Sequence, residues 1–308
     1  MQNNYVTSHF EEQVSQDYPV SIYYVELPEM FMKSVRHHWH DKIEIDYVKS
    51  GSAIFSICDE EVTCHAGEAV VINSDQIHSI RMAEDAADTV ILSLLFSPDY
   101  LFEDSNSFLT VKYRDTLLLN EKFNYCHFNE SGNREVIRCI QSLLSQNLNK
   151  NYGYELMTKS LLSELWIQLL SVLSGVNKRK SRLSLSDMAR AKDAIVFIHG
   201  NYSKALTLDE IASSTHLSKS ECCRCFKRAT HLTPFEYLMK LRIYESAYMM
   251  QMGDAGLKLS ELATSVGFNN ASYYNKMFRK YLGCTPTIYR ENIKRSHRDA
   301  LNPYGISM

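Results

Sequence analysis

The residues best suited to chemistry in this chain are His38, His40 and Glu44, in the stretch RHHWHDKIEIDYVKSG. A further histidine, His78, ends the stretch GEAVVINSDQIH. Imidazole and carboxylate are ligands that suit zinc, manganese, nickel or ferrous iron. The same residue types also line pockets for polar metabolites, where an aromatic face and convergent acceptors fit a sugar ring. They can equally hydrogen-bond one another with no ligand at all. Three readings follow: a catalytic metal centre, a small-molecule pocket in a regulatory domain, and a structural cluster. The candidate set for ligand binding is His38, His40, Glu44, Tyr47 and His78, and for a divalent metal His38, His40, Glu44 and His78. Trp39 points away from its flanking histidines if the strand is regular.

A second kind of chemistry is written into the other half. LTLDEIASSTHLSKSECCRCFKRATHLTPFEYL aligns with LKLSELATSVGFNNASYYNKMFRKYLGCTPTIYR. Each copy reads as a helix, a tight turn, a second helix and then a third. Thr207 with Glu210, Ser218 with Glu221, and Thr233-Pro234 with Glu236 carry helix-start signals, and Thr285-Pro286 repeats the last of them. Gly267 occupies the turn of the second copy, where a positive φ suits glycine, and His216 takes that place in the first. This is the sequence logic of a helix-turn-helix. With Cys222 and Phe226 inward, the second helix of copy one presents Ser220, Cys223 and Arg224. With Tyr274, Met277 and Phe278 inward, copy two presents Ser272, Asn275 and Lys276. Short polar side chains plus one long cation suit a reader of the DNA major groove: arginine pairs bidentately with guanine, and asparagine with adenine. Lys227, Arg228, Arg279 and Lys280 are assigned to phosphates, which position without specifying.

Different elements must hold these two sets. Up to about Phe96 the chain shows short β-rich runs (IEIDYVKSG, AIFSI, AVVIN, VILSLLF), which predict an antiparallel sandwich or barrel. From Asn133 the period becomes helical. REVIRCIQSLLSQNL and YELMTKSLLSELWIQLLSVL predict a helical hairpin, the second helix apolar nearly all round. Its surplus must be buried on its own sheet or on a second subunit, and dimerisation is the preferred expectation. The predicted boundaries are a β domain at 1–128, the hairpin at 129–174, a polar linker at 175–187, an all-helical domain at 188–295 and a tail at 296–308.

Composition limits the class. The 308 residues are 45% hydrophobic and 22% charged, which predicts globular domains. Net charge is −3, but residues 1–177 hold 12 Lys+Arg against 25 Asp+Glu while residues 178–298 hold 21 against 10. A basic C-terminal half joined to an acidic N-terminal half predicts a polyanionic partner for the former. No signal peptide and no uninterrupted apolar run of membrane-spanning length is evident, so a cytoplasmic protein with no membrane partner is expected. The eight cysteines form no disulfide framework and are expected to be reduced. CCRC at 222–225 lacks a second ligand pair for zinc.

Residues 190–292 resemble the AraC-type transcription regulators. The resemblance lies in the Leu-Ala pair, the Gly-Phe turn, the aromatic pair, Phe-Arg-Lys, Gly-x-x-Pro and Tyr-Arg of the second copy. Tyr274, Lys276, His216 and His231 depart from the usual residues. His38-x-His40-x3-Glu44-x6-Gly51 resembles the first cupin motif and Gly67–His78 the second, with Asn73 and Asp75 replacing the usual proline and glycine and Met82 the usual asparagine. The resemblance implies an α+β fold in two domains: an N-terminal antiparallel cupin or jelly-roll-like β-barrel with the hairpin, and a C-terminal domain of seven helices. The two helix-turn-helix units would be joined by a long helix from about Pro234 to Met250. It further implies a sequence-specific DNA-binding regulator that is not an enzyme. The expected partners are a double-stranded operator, a small-molecule effector of sugar type, a second copy of the chain and, for an activator, RNA polymerase. The alternative is a metal-dependent cupin enzyme or metal-responsive sensor fused to a DNA-binding module.

Overall fold

The computed structural model describes residues 18–30, 33–86, 88–102, 107–120, 123–175, 184–251 and 257–301. The chain divides into two units, 1–184 and 185–308.

The first unit contains strands β1 (Val20–Glu26), β2 (Ser34–His38), β3 (Ile43–Ser50), β4 (Ser52–Ile57), β5 (Glu60–His65), β6 (Ala69–Ile72), β7 (His78–Met82), β8 (Val90–Phe96) and β9 (Tyr125–Phe128). A single helical turn, α1 (Asp115–Leu118), precedes β9. The strands form a five-stranded sheet in the order β1-β8-β3-β6-β9 and a four-stranded sheet in the order β2-β7-β4-β5. Every paired neighbour is antiparallel. Among the described residues no strand is hydrogen-bonded into both sheets, so the expected barrel is not closed; it is a jelly-roll-like sandwich with open edges. Gly51, between β3 and β4, has φ +73°, and a Cβ there would collide with the Asp88 carbonyl and approach Thr89 Oγ1 to 2.6 Å. The motif glycine is therefore required by close backbone approach as well as by conformation.

Period-two alternation splits β3 into two faces. Ile43 and Ile45 join Leu92, Leu94, Phe96, Ala69 and Val71 in the main core, which includes residues of α2 (Glu130–Asn149) and α3 (Tyr154–Gly175). Glu44 and Asp46 point the opposite way, into the gap between the sheets. Asn129 starts α2, its side chain accepting from the Gly132 amide, and Lys150 ends it with φ +49°. Only α3 is long and apolar enough, by length and composition, to cross a membrane among the described helices. Its apolar residues have another use: Leu162, Leu165, Trp166, Leu169 and Leu173 are buried in the core shared with the sheet. Each such side chain contributes about 1.5–3 kcal/mol by leaving water. Trp166 also donates its indole N–H to the Tyr113 carbonyl at 3.0 Å. One face of the hairpin is thus covered by its own sheet, while Leu156, Met157 and Ile167 of α3 stay exposed on the other.

Among the described residues the second unit has seven helices: α4 (Leu185–Asn201), α5 (Leu208–Ser214), α6 (Lys219–Thr230), α7 (Pro234–Gln251), α8 (Leu259–Ser265), α9 (Ala271–Leu282) and α10 (Pro286–Leu301). Helix α4 begins inside the stretch predicted as linker, and α10 runs past the predicted boundary at 295. Thr207–Glu210 and Ser218–Glu221 make reciprocal capping boxes. Thr233 does the same with Glu236 before Pro234. Both turns use positive φ: +55° at His216 and +93° at Gly267.

One buried charge fixes this unit. Arg242 on α7 is 6% exposed and donates from Nε to the Tyr202 carbonyl and from Nη2 to the Lys204 carbonyl, both at 2.7 Å. Its guanidinium also lies 5.7 Å from the Phe268 ring centroid. It binds the end of α4 to the turn of the second repeat.

Candidate functional site

Each member of the N-terminal cluster comes from a different local setting. His38 ends β2 and sits opposite His78 at the start of β7. His40 lies in the loop before β3, where its carbonyl accepts the Asp75 amide at 2.7 Å. Asp75 has φ +63°, a conformation that aspartate tolerates better than most residues in the place of the motif glycine. Glu44 is on β3, in the other sheet. The four donor atoms lie within 4.8 Å of one another.

The hydrogen bonds define the ring orientations. His38 Nδ1 lies 2.9 Å from the Arg36 carbonyl, His40 Nδ1 2.9 Å from the Lys42 carbonyl and His78 Nδ1 2.9 Å from the Gln76 carbonyl. A carbonyl oxygen only accepts, so each Nδ1 carries a proton and donates. In the neutral imidazole the lone pair is then on Nε2. Yet His40 Nε2 is 2.8 Å and His78 Nε2 2.9 Å from the same Glu44 oxygen, Oε2. A lone pair facing a carboxylate is repulsive; a second proton or a cation between them removes the conflict. Backbone carbonyls fixing the Nδ1–H tautomer are the usual outer support of a metal-binding histidine. The donor set, three imidazole nitrogens and one carboxylate, fits a transition-metal ion.

Electrostatics agrees with this geometry. Burial, then the neighbouring His78, pushes His38 down to about 3, so its ring is neutral near pH 7. Burial opposes a charge on His40, but the hydrogen bond and charge of Glu44 outweigh it and raise the ring's pKa. Burial also opposes ionisation of Glu44, and the charges and hydrogen bonds of His78 and His40 reverse that, holding the carboxyl well below its ordinary range. The His40 side chain retains 19% exposure against 5% for Glu44 and 1% for His78, so the cluster meets solvent at His40.

Tyr47 is not in this cluster. Three residues beyond Glu44 on a regular strand, it faces the hairpin, and its hydroxyl accepts from Gln141 Nε2 on α2 at 3.0 Å. The period of two decides this, and the spacing alone could have shown it. Sequence reading missed Asp46, two residues after Glu44 and on the same face. It is fully buried, accepts a hydrogen bond from Ser93 Oγ at Oδ1, and has no partner at Oδ2. Burial, then the Glu44 charge, holds its carboxyl well above the usual range.

In the second unit the predicted outward residues are at the surface. Ser220, Arg224 and Lys227 on α6, and Ser272, Asn275, Lys276, Arg279 and Lys280 on α9, are exposed; Cys223 is half-buried. Cys222, Phe226, Tyr274, Met277 and Phe278 are buried beneath them. Arg228 is exposed but lies 3.6 Å from Asp187 of α4, which ties it to its own fold. Helix α9 also presents Tyr273, exposed and outside the predicted set.

Residues 31–166 match the AraC-like ligand binding domain, and residues 211–292 match a helix-turn-helix domain family. The chain belongs to the AraC-type transcription regulators. A Bacillus subtilis relative described as the HTH-type transcriptional regulator YdeC is 27% identical over 89% of this chain and 92% of its own. The HTH-type transcriptional activator RhaR of Mannheimia succiniciproducens is 23% identical over 82% of this chain and 86% of its own. Among solved structures, ToxT from Vibrio cholerae O395 aligns over 88% of this chain and 97% of its own, at 13% identity and a TM-score of 0.42. This AraC-type regulator is a DNA-binding protein with a ligand-binding domain, and not an enzyme.

Proposed function

We propose that this regulator is controlled by a sugar or related polyhydroxylated metabolite bound at the inter-sheet cluster, with a divalent cation held by Nε2 of His38, His40 and His78 and by the Glu44 carboxylate. The observation that carries the reading is the convergence of His40 Nε2 and His78 Nε2 on one Glu44 oxygen, with a His38 ring nitrogen within 4.8 Å of the other donor atoms and every Nδ1 already committed to a backbone carbonyl. A cation there would supply a Lewis acid able to hold vicinal hydroxyls. The chain's own residues orient it, and exposure at His40 gives entry. Base reading is assigned to Ser220, Cys223, Arg224, Ser272, Asn275 and Lys276. Phosphate contact is assigned to Lys227, Arg279 and Lys280, with Arg228 shared between phosphate and Asp187. Two such helices engage successive major grooves about 34 Å apart on one DNA face. Effector binding and operator grip are then linked by a reciprocal coupling free energy.

The test uses the full chain. An operator is selected from random duplexes, and its Kd is measured with a panel of sugars and sugar acids, with and without manganese. A shift of about 5-fold or more for one metabolite, lost in His40→Ala, is the expected result. No shift and no thermal stabilisation with any member would overturn the effector reading.

A further inference from the structure

A second group of ligand-type side chains lies inside the same sandwich. Cys64 of β5, Glu68 in the β5–β6 turn and His127 of β9 bring a sulfur, a carboxylate oxygen and a ring nitrogen within 4.8 Å of one another. The registers explain the meeting. Cys64 is opposite Ala53, on the inward face of the four-stranded sheet. His127 is opposite Val70, itself opposite Asp46, on the inward face of the other sheet. Glu68 is placed by its backbone carbonyl, which accepts the Val48 amide at 3.0 Å. The group therefore lies along β3 beyond Asp46, on the side away from Glu44.

Two features are unexplained by packing. Glu68 Oε2 accepts both His127 Nε2–H at 2.9 Å and the His65 amide at 3.0 Å, which directs that oxygen toward a fully buried thiol. The nearby Asp46, itself fully buried, leaves Oδ2 without a hydrogen-bond partner. Burial, then the charges of Glu68 and Asp46, raises the Cys64 thiol. The Glu68 carboxylate thus lies among a thiol and a carboxyl group that burial keeps protonated, with the His127 ring hydrogen-bonded to it.

We propose that Cys64, Glu68 and His127 form a second divalent-cation site, of the kind that takes zinc, separate from the His38–His40–Glu44–His78 cluster. Strand β5 is the outer strand of one sheet and β9 the outer strand of the other. An ion here ties together the open edge of the sandwich, where no backbone ladder joins the sheets among the described residues. Tetrahedral zinc with Zn–S of about 2.3 Å and Zn–N and Zn–O of about 2.0–2.2 Å sets its ligand atoms about 3.3–3.6 Å apart. The His127–Glu68 pair opens by about half an ångström from its present 2.9 Å, and Cys64 Sγ closes in. As the sulfur–metal bond forms, the thiol proton leaves to solvent and the His127 proton passes from Nε2 to Nδ1; no oxidation state changes. His127 and Glu68 side chains are 27% and 21% exposed, which gives the ion a way in.

Cobalt(II) is the probe, because thiolate ligation gives a sulfur-to-cobalt charge-transfer band in the near ultraviolet and the first cluster contains no sulfur. Metal-stripped full-length protein titrated with cobalt is expected to develop this band to about one equivalent. The band is expected to persist in His38→Ala and vanish in Cys64→Ser. Absence of the band in the wild-type chain, or its survival in Cys64→Ser, overturns the proposal. Should Cys64→Ser fail to fold by circular dichroism, Glu68→Gln and His127→Gln decide: cobalt affinity is expected to fall at least about tenfold, and unchanged affinity overturns the site. The outcome is independent of the effector reading, whose residues the band does not report.

Discussion

His78 Nε2 lies 2.9 Å from Glu44 Oε2 across the gap between the two sheets, while His78 Nδ1 is held by the Gln76 carbonyl. The pair joins strands that share no backbone ladder, so its chemistry bears directly on the sandwich. In metal-stripped protein, saturating manganese or nickel at about 100 times Kd should stabilise the fold by about 2.7 kcal/mol. Glu44→Gln and His78→Ala should abolish the gain. A wild-type Tm indifferent to both ions would remove the cation from this cluster.

Without metal, the pH dependence follows from the same contacts. His40 is raised in the folded state, so its contribution is complete below about 6.5 and disappears as pH rises through the folded value. Glu44 is lowered, so its contribution is present above about 4.3 and disappears as pH falls through its folded value. Thermal scans across acid and alkaline pH in chelator should show stability falling at both ends. His40→Asn should flatten the alkaline limb; an unchanged limb would mean that His40 is not its source.

On DNA, Arg224→Ala should weaken operator binding by about 1–3 kcal/mol and relax preference at one base pair. Equal losses on operator and random duplex would show that Arg224 does not read bases. Lys227→Ala should instead lower affinity uniformly and reduce the salt slope by about one. Arg228→Ala should change that slope less, because Asp187 already engages the guanidinium.

Gly267→Ala should destabilise the helical unit by about 2 kcal/mol or more, through positive-φ strain and collision. Its Cβ would stand 2.6 Å from the Tyr202 carbonyl and 2.9 Å from Arg242 Cζ. His216→Gly at the matching turn should be neutral or stabilise by up to about 1 kcal/mol. Chemical denaturation of the full chain, followed by helical signal, distinguishes the two.

Tyr47→Phe should leave metal and effector binding unchanged while costing about 1 kcal/mol, the worth of its bond from Gln141. A loss of effector affinity without a loss of stability would return Tyr47 to the pocket.

By itself the sequence determined whatever depends on local pattern. The capping pairs Thr207–Glu210 and Ser218–Glu221, the turn at Gly267, the extent of α7 and the outward set from Ser220 to Lys280 follow from period, cap chemistry and repeat spacing, because helices are built from contacts three and four residues apart. His38, His40, Glu44 and His78 could be named from two motifs. Tertiary structure alone decided that two sheets face each other without closing, that Trp166 is covered by its own sheet, and that Tyr47 belongs with Gln141. It also decided that Asp46 is stranded beside Glu44 and that Cys64 meets His127 from the far edge of the other sheet. Those meetings depend on strand register across dozens of residues, and a one-residue shift sends a side chain to the opposite face, so short-range pattern does not contain them.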